Sequence, residues 1–200
     1  MNYLAHLHLG GKSPGHLLGS LYGDFVKGAV AGRFTPDIEA GIVLHRRIDS
    51  FTDRHPNVLA ALGRFPKERR RYAGIIVDVF FDHLLARHWR QYSPQPLNDF
   101  VGQVYGILAN EPQLPGRLAA VAPYMIADDW LGSYRDFRVL EAVLNGISRR
   151  LSRPEGLAGA FFEVRELYEP LSEDFRAFYP QLQTFAREAL QGLPARGSDG

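Results

Sequence analysis

The stretch Gly74-Ile-Ile-Val-Asp78-Val-Phe-Phe-Asp82-His83-Leu-Leu85 decides how the rest of the chain is read. Wound as a helix it is apolar on every side, the mark of a central helix surrounded by others rather than a surface helix with one buried stripe. Yet it carries two carboxylates and an imidazole. Asp78 and Asp82 stand four apart, so they share one face of that helix. Isolated ionised carboxylates in such surroundings would cost many kcal/mol, so each needs a cation, a metal or a proton.

Helix signals flank this stretch in both directions. Ser13-Pro14 reads as N-cap and first position of a helix to about Gly28, with Leu17, Leu21 and Asp24 on one stripe. Gly19 and Gly23 in it permit close approach by a neighbour. Thr35-Pro36-Asp37 opens a second helix, with Asp37 and Glu39 favourable in its first turn, running to about His55 where Pro56 stops it. The central helix should begin at Pro66-Lys-Glu and end near Ser93-Pro94. Shorter helices are predicted at Leu97 to Ala109, Pro115 to Ala127 and Asp136 to Leu151, with a last region from Glu155 to Leu190 bent or interrupted at Pro170 and Pro180. Only the opening reads as strand: His6 and His8 alternate with Leu7 and Leu9, placing both histidines on one side of an extended segment. Nine residues cannot build a sheet alone, so the expected fold is all-α, one multi-helix bundle over residues 1–192. Residues 193–200 (Leu, Pro, Ala, Arg, Gly, Ser, Asp, Gly) read as a loose tail.

Composition removes several function classes. With 200 residues and 46% apolar content the chain can bury a substantial core, and a net charge of +1 gives no global case for nucleic acid. The absence of cysteine excludes disulfides, thiolate metal sites and a cysteine nucleophile, and it fits the cytosol. The opening residues, with two histidines and no basic leader, make a poor signal peptide, and no apolar run approaches the roughly 20 residues of a membrane span.

The second helix holds the row Ile38, Ile42, His45, Asp49, Asp53 in steps of three or four, so His45 and Asp49 continue the stripe that the isoleucines point into the core. Asp24 does the same on the first helix, and Asp78 and Asp82 on the third. Three helices thus bring acid or imidazole toward one interior, which is how helical bundles build metal centres. Each residue also has a plainer reading. His6 or His8 can be hydrogen-bonded core histidines; Asp49 can pair with Arg46 or Arg47, Asp53 with Arg54, and Asp24 with Lys27. For Asp78 and Asp82 the plainer reading is weaker, because no basic residue lies one turn before Asp78.

Carboxylate and imidazole without thiolate suit Mn, Mg, Fe or Zn, and such an ion suits phosphoester hydrolysis. No Gly-x-Ser-x-Gly, P-loop or glycine-rich dinucleotide turn offers another chemistry. Arginine runs at Arg46-Arg47, at Arg69-Arg70-Arg71 and at Arg149-Arg150 with Arg153 are either solvated helix faces or grips for a phosphate or an acidic protein.

The motifs together resemble the acyl carrier protein phosphodiesterases. The likeness rests on Met1-Asn-Tyr-Leu-Ala-His6-Leu-His8-Leu9, Gly23-Asp24-Phe25-Val26 and His45-Arg-Arg-Ile-Asp49. It continues through Asp78-Val-Phe-Phe-Asp82-His83-Leu-Leu-Ala-Arg87-His88-Trp89, Tyr134-Arg-Asp136 and Val143-Leu-Asn-Gly146, covering about Met1 to Leu190 in order. The resemblance implies a cytoplasmic hydrolase activated by a divalent metal, usually Mn, with Mg or Fe as substitutes, and distantly related to HD-domain phosphohydrolases. Such enzymes cut the phosphodiester joining 4'-phosphopantetheine to a serine of holo-acyl carrier protein, in carrier turnover for fatty acid synthesis. The HD class carries a His-Asp doublet, whereas this chain has the reverse order, Asp82-His83.

On this basis Asp24, His45, Asp78 and Asp82 are expected to hold the ion, with His6 as a further ligand. Asp49 would support His45 from behind, and His83 would orient a ligand or protonate the leaving serine oxygen. Arg46 and Arg47 would bind phosphate, and Arg69, Arg70 and Arg71 the acidic face of the carrier. Two rivals stay open: an HD-type nucleotide or (p)ppGpp phosphohydrolase, and a metal-free helical binding module.

Overall fold

In the computed structural model of the protein, which describes residues 1–193, the decisive stretch forms the middle of α5 (Arg70–Arg87). Ile76, Val77, Phe80, Phe81, Leu84 and Leu85 are all buried, so this helix is enclosed by neighbours as its uniform apolarity predicts. Before it in the chain come α1 (Tyr3–Leu9), α2 (Pro14–Tyr22), α3 (Pro36–Thr52) and α4 (Pro56–Gly63), and after it α6 (Leu97–Asn110). The chain then continues through α7 (Gly116–Ala127), α8 (Trp130–Ser133), α9 (Val139–Ser148), α10 (Ala160–Glu166) and α11 (Tyr168–Gln191). Short 3-10 turns cover Trp89–Gln91 and Pro154–Leu157, and no strand occurs among the described residues. The fold is all-α. The predicted tail falls, from residue 194 onward, outside the described residues.

Several boundaries differ from the sequence reading, each for a physical reason. The opening residues are helical, not extended, because a partner far along the chain caps them. Both oxygens of Asp82 accept from the N–H groups of Leu4 and Ala5, at 2.8 and 3.0 Å, satisfying donors that the start of a helix leaves without partners. Pro56 ends α3 and also begins α4, a helix the sequence reading left out; the His55 imidazole caps it by accepting from the N–H of Asn57. The helix from Pro14 stops at Tyr22 instead of near Gly28, and a loop of about a dozen residues leads to α3. Neither Pro170 nor Pro180 interrupts α11. Pro170 sits in its first turn, where an N–H has no intrahelical partner anyway, and buried Phe175, Phe178, Tyr179 and Leu182 hold the face around Pro180 against the core. The break falls at Leu167.

Two contacts fix the frame of the site. The backbones of α2 and α3 touch at Gly19 and Gly41, where a Cβ on either would collide with the main chain of the other helix. Arg64 clamps the end of α4 to α11 through a bidentate pair with Asp174, at 2.6 and 3.0 Å.

Candidate functional site

The sides of α1 and α3 that meet beneath α2 carry His6, His45 and Asp49, whose ligand atoms lie within 4.8 Å of one another. The step of three and four along α3 puts His45 and Asp49 on adjacent turns facing α1, with Asp49 Oδ2 3.2 Å from His45 Nε2. The two imidazoles stack at 3.7 Å with their planes 13° apart. Gly23, at the end of α2, lies under the His45 ring so closely that any Cβ there would overlap it.

The protonation chemistry of this group is unusual. His45 Nδ1 lies 2.7 Å from the carbonyl oxygen of Ser20; a carbonyl only accepts, so Nδ1 carries the proton and donates it. The other ring nitrogen, Nε2, faces two carboxylates, Asp49 at 3.2 Å and Asp24 at 3.7 Å. Carboxylates converging on one ring nitrogen favour a cation or a proton between them. His6 is less well provided. Neither of its ring nitrogens has a hydrogen-bond partner among the described residues, although Nε2 approaches Asp49 Oδ1 to 3.0 Å without the alignment of a hydrogen bond. Burial holds its pKa down to about 3, against the pull of Asp49, so the ring is neutral near pH 7. Burial alone would raise the Asp49 carboxyl, yet the imidazoles of His45 and His6 outweigh that effect and keep it ionised far below the usual range.

Two further carboxylates rim the group. Asp24 and Asp78 line a cleft of about 530 Å³, and Asp24 lies 3.7 Å from His45 Nε2. Asp78 Oδ1 lies 3.1 Å from the Met1 α-ammonium, which is itself 3.8 Å from Asp49. Burial works to lower the pKa of that ammonium, and the Asp78 and Asp49 carboxylates reverse the sign. The carboxylates have thus gathered the nearest available cation. A divalent ion fits this donor set: a buried imidazole without partners, a second one whose far nitrogen is anchored to a backbone carbonyl, and surrounding carboxylates.

Other predicted residues lie elsewhere. Asp82 does not join the cluster; it is fully buried as the cap of α1, and burial, opposed by the Leu4 and Ala5 hydrogen bonds, pushes its pKa up to about 7. His83 is also away from it, with Nδ1 2.7 Å from the Tyr134 carbonyl and Nε2 3.0 Å from the Tyr168 hydroxyl. Burial holds its pKa down to about 4. Asp49 stands on the ligand side of His45 and not behind it, the supporting acceptor being Ser20. His8 is bound to the Tyr179 hydroxyl at 2.7 Å against Trp89, a core role.

The arginines divide similarly. Arg46 donates to the carbonyls of Gly28 and Val26, at 2.8 and 2.9 Å, and so pins the loop bearing Asp24. Arg69 is locked by Glu163 at 2.7 Å and by the carbonyls of Gly156 and Ala158. Arg47 lines a separate hollow with Phe51 and Phe185, and Arg70 and Arg71 are exposed. The cations that do line the cleft are Lys27, Arg117 and Arg150. Of these, sequence reading singled out Arg150 within a run and mentioned Lys27 only as a partner for Asp24; Arg117 carries no local signal at all.

A helical frame that gathers imidazole and carboxylate beside a cationic cleft suits phosphoester hydrolysis. Comparison with known sequences makes the assignment specific. Residues 1–182 match the sequence signature of the acyl carrier protein phosphodiesterases, and the chain belongs to that family. Acyl carrier protein phosphodiesterases of Salmonella agona, Salmonella newport and Salmonella enteritidis are each 42% identical over 193 residues, spanning 95% of this chain and all of theirs. The protein is therefore an enzyme, a phosphodiesterase, rather than a binding module. No solved structure matches the chain. No helix among the described residues is long and apolar enough to cross a membrane.

Proposed function

We infer that this enzyme hydrolyses the phosphodiester between 4'-phosphopantetheine and the serine of holo-acyl carrier protein, releasing apo-carrier protein, and that it does so with a divalent cation. The observation that carries the reading is the buried His6, with neither ring nitrogen partnered, grouped with His45 and Asp49 next to a cleft lined by Asp24 and Asp78, in a family whose named members act on that carrier. His6, His45 and Asp49 would hold the ion, with Asp24 and Asp78 at its exposed side. When bound, the ion would supply positive charge for the phosphoryl oxygens and lower the pKa of a water molecule; Mn, Mg and Fe all suit this oxygen and nitrogen set.

The chain's own residues then divide the work. The Ser20 carbonyl keeps His45 in one tautomer, so Nε2 always faces the reaction. Arg46 fixes the loop that carries Asp24, and Asp24, half exposed in the cleft, is placed to accept the proton of the attacking water. Docking of the acidic carrier falls to exposed Arg70 and Arg71, since Arg69 already serves Glu163. Carrier turnover of this kind is cytoplasmic and belongs to fatty acid metabolism.

The test is intact-protein mass spectrometry of holo-acyl carrier protein after incubation with enzyme stripped by chelator and then supplied with Mn²⁺, Mg²⁺ or Fe²⁺. The expected result is loss of the whole prosthetic arm, only with metal. Unchanged holo-carrier under every condition overturns the reading, and loss of the arm without any metal overturns its metal dependence.

A further inference from the structure

The cleft contains more positive charge than a phosphodiester needs. Lys27 comes from the loop after α2, Arg117 from α7, and Arg150 from just beyond α9, three separate elements converging on one cavity. None of the three cationic groups has an ion-pair partner among the described residues, whereas Arg64, Arg69 and Arg138 elsewhere are each paired with a carboxylate. Three unpaired cations placed around a cavity constitute an anion site. Tyr3, Phe25 and Trp130 supply the remaining walls, with the Tyr3 and Phe25 rings parallel to within 2°. A volume of about 530 Å³ suits one small molecule and not a protein surface.

The stoichiometry of the reaction says which molecule this is. Water adds to phosphorus, the P–O bond to serine breaks, and the serine oxygen takes a proton. The phosphate stays on the pantetheine side. The ester carries one negative charge, and the monoester released carries close to two at neutral pH. The anion whose charge grows is therefore the prosthetic arm, not the protein.

Resting on the hydrolase reading above, we propose that Lys27, Arg117 and Arg150 form the seat for the phosphate of 4'-phosphopantetheine, that Tyr3, Phe25 and Trp130 pack against its pantetheine body, and that the free product binds there more tightly than the ester it came from. The enzyme is consequently inhibited by its own small product.

Calorimetric titration of the full chain with 4'-phosphopantetheine, pantetheine and AMP tests this without relying on turnover. Binding of 4'-phosphopantetheine should exceed that of pantetheine by about tenfold to a hundredfold, the worth of charged hydrogen bonds to one phosphate. In R117Q/R150Q that ratio should collapse to near unity with the melting temperature unchanged. AMP, which shares the phosphate but not the body, should bind less tightly than 4'-phosphopantetheine, and Trp130→Ala should remove that difference. Equal binding of pantetheine and its phosphate, or a phosphate preference that survives R117Q/R150Q, overturns the anion seat. AMP binding as well as 4'-phosphopantetheine overturns the assignment of the aromatic wall. If holo-carrier is never hydrolysed yet 4'-phosphopantetheine binds as described, the functional reading fails and the cleft assignment stands. Turnover without any phosphate preference means the converse: the hydrolase reading stands and the cleft assignment fails.

Discussion

Two regions of this molecule bury the same pair of residue types and do opposite things with them. In α5, Asp82 and His83 are fully buried and fully satisfied: the carboxylate accepts two backbone N–H groups, and the imidazole bridges the Tyr134 carbonyl and the Tyr168 hydroxyl. Where α1 meets α3, His6 is equally buried with neither nitrogen hydrogen-bonded, and His45 Nε2 faces Asp49 at 3.2 Å. Buried polar groups in proteins are nearly always partnered, so a buried imidazole with neither nitrogen bonded, beside a second imidazole and a carboxylate, suits an added ligand. Burial of acid and imidazole alone does not separate a structural centre from a reactive one; the state of their hydrogen bonds does.

The sharpest way to break this contrast is Asp49→Ala. Turnover of holo-carrier should fall by roughly 10²- to 10³-fold, the scale of losing one preorganised electrostatic group, and metal content should drop with it, while the melting temperature stays close to that of the unaltered protein. Metal retained at full stoichiometry would remove Asp49 from the centre. Asp82→Ala should do the reverse. Leaving two buried N–H groups without partners costs about 2–4 kcal/mol of stability by denaturant titration, with activity per folded molecule preserved. If Asp82→Ala instead abolished turnover in a stable protein, the contrast would be wrong and Asp82 would rejoin the site.

Gly23→Ala comes next in size. Its Cβ must displace the His45 ring, and a shift near 1 Å at a reacting group can cost roughly a hundredfold in rate. Turnover should fall by tenfold or more with little change in helix content by circular dichroism; unchanged kinetics would show that the ring's position is not critical.

The smallest effect is on pH dependence, and it carries opposite signs at neighbouring residues. The His83 pKa is depressed to about 4 when folded, so its contribution is present above its unfolded value near 6.5 and is lost as pH falls toward 4. The Asp82 pKa is raised to about 7, so its contribution is present below about 4 and is lost as pH rises to 7. Denaturant titrations between pH 4 and 7 should therefore show stability rising more steeply with pH in Asp82→Asn and less steeply in His83→Asn than in the unaltered protein. Parallel curves for all three would show that neither group is perturbed by burial.

The row Ile38, Ile42, His45, Asp49 was legible because side chains three and four apart in a helix share a face whatever surrounds it. The same rule brought out Asp24 and Asp78, which the structure places on the rim of the cleft. It could not rank Asp82 and His83, because α5 is apolar all round and periodicity in such a helix points nowhere in particular. The arginine runs drew attention by adjacency, but neighbours in sequence point to different sides of a helix. Lys27, Arg117 and Arg150 converge only because three distant elements meet.

What the amino-acid order determined by itself was the helical class, the helix starts at Pro14 and Pro36 through their Ser-Pro and Thr-Pro signals, and the faces on which acids and histidines lie, since all of these depend on interactions within a few residues. Tertiary structure alone decided that Tyr3–Leu9 is helical and which polar groups are left without partners. The reason is that caps and ligand sets here span large sequence separations, from Asp82 to Leu4 and from His6 to Asp49, and no local pattern records who will sit across the interface.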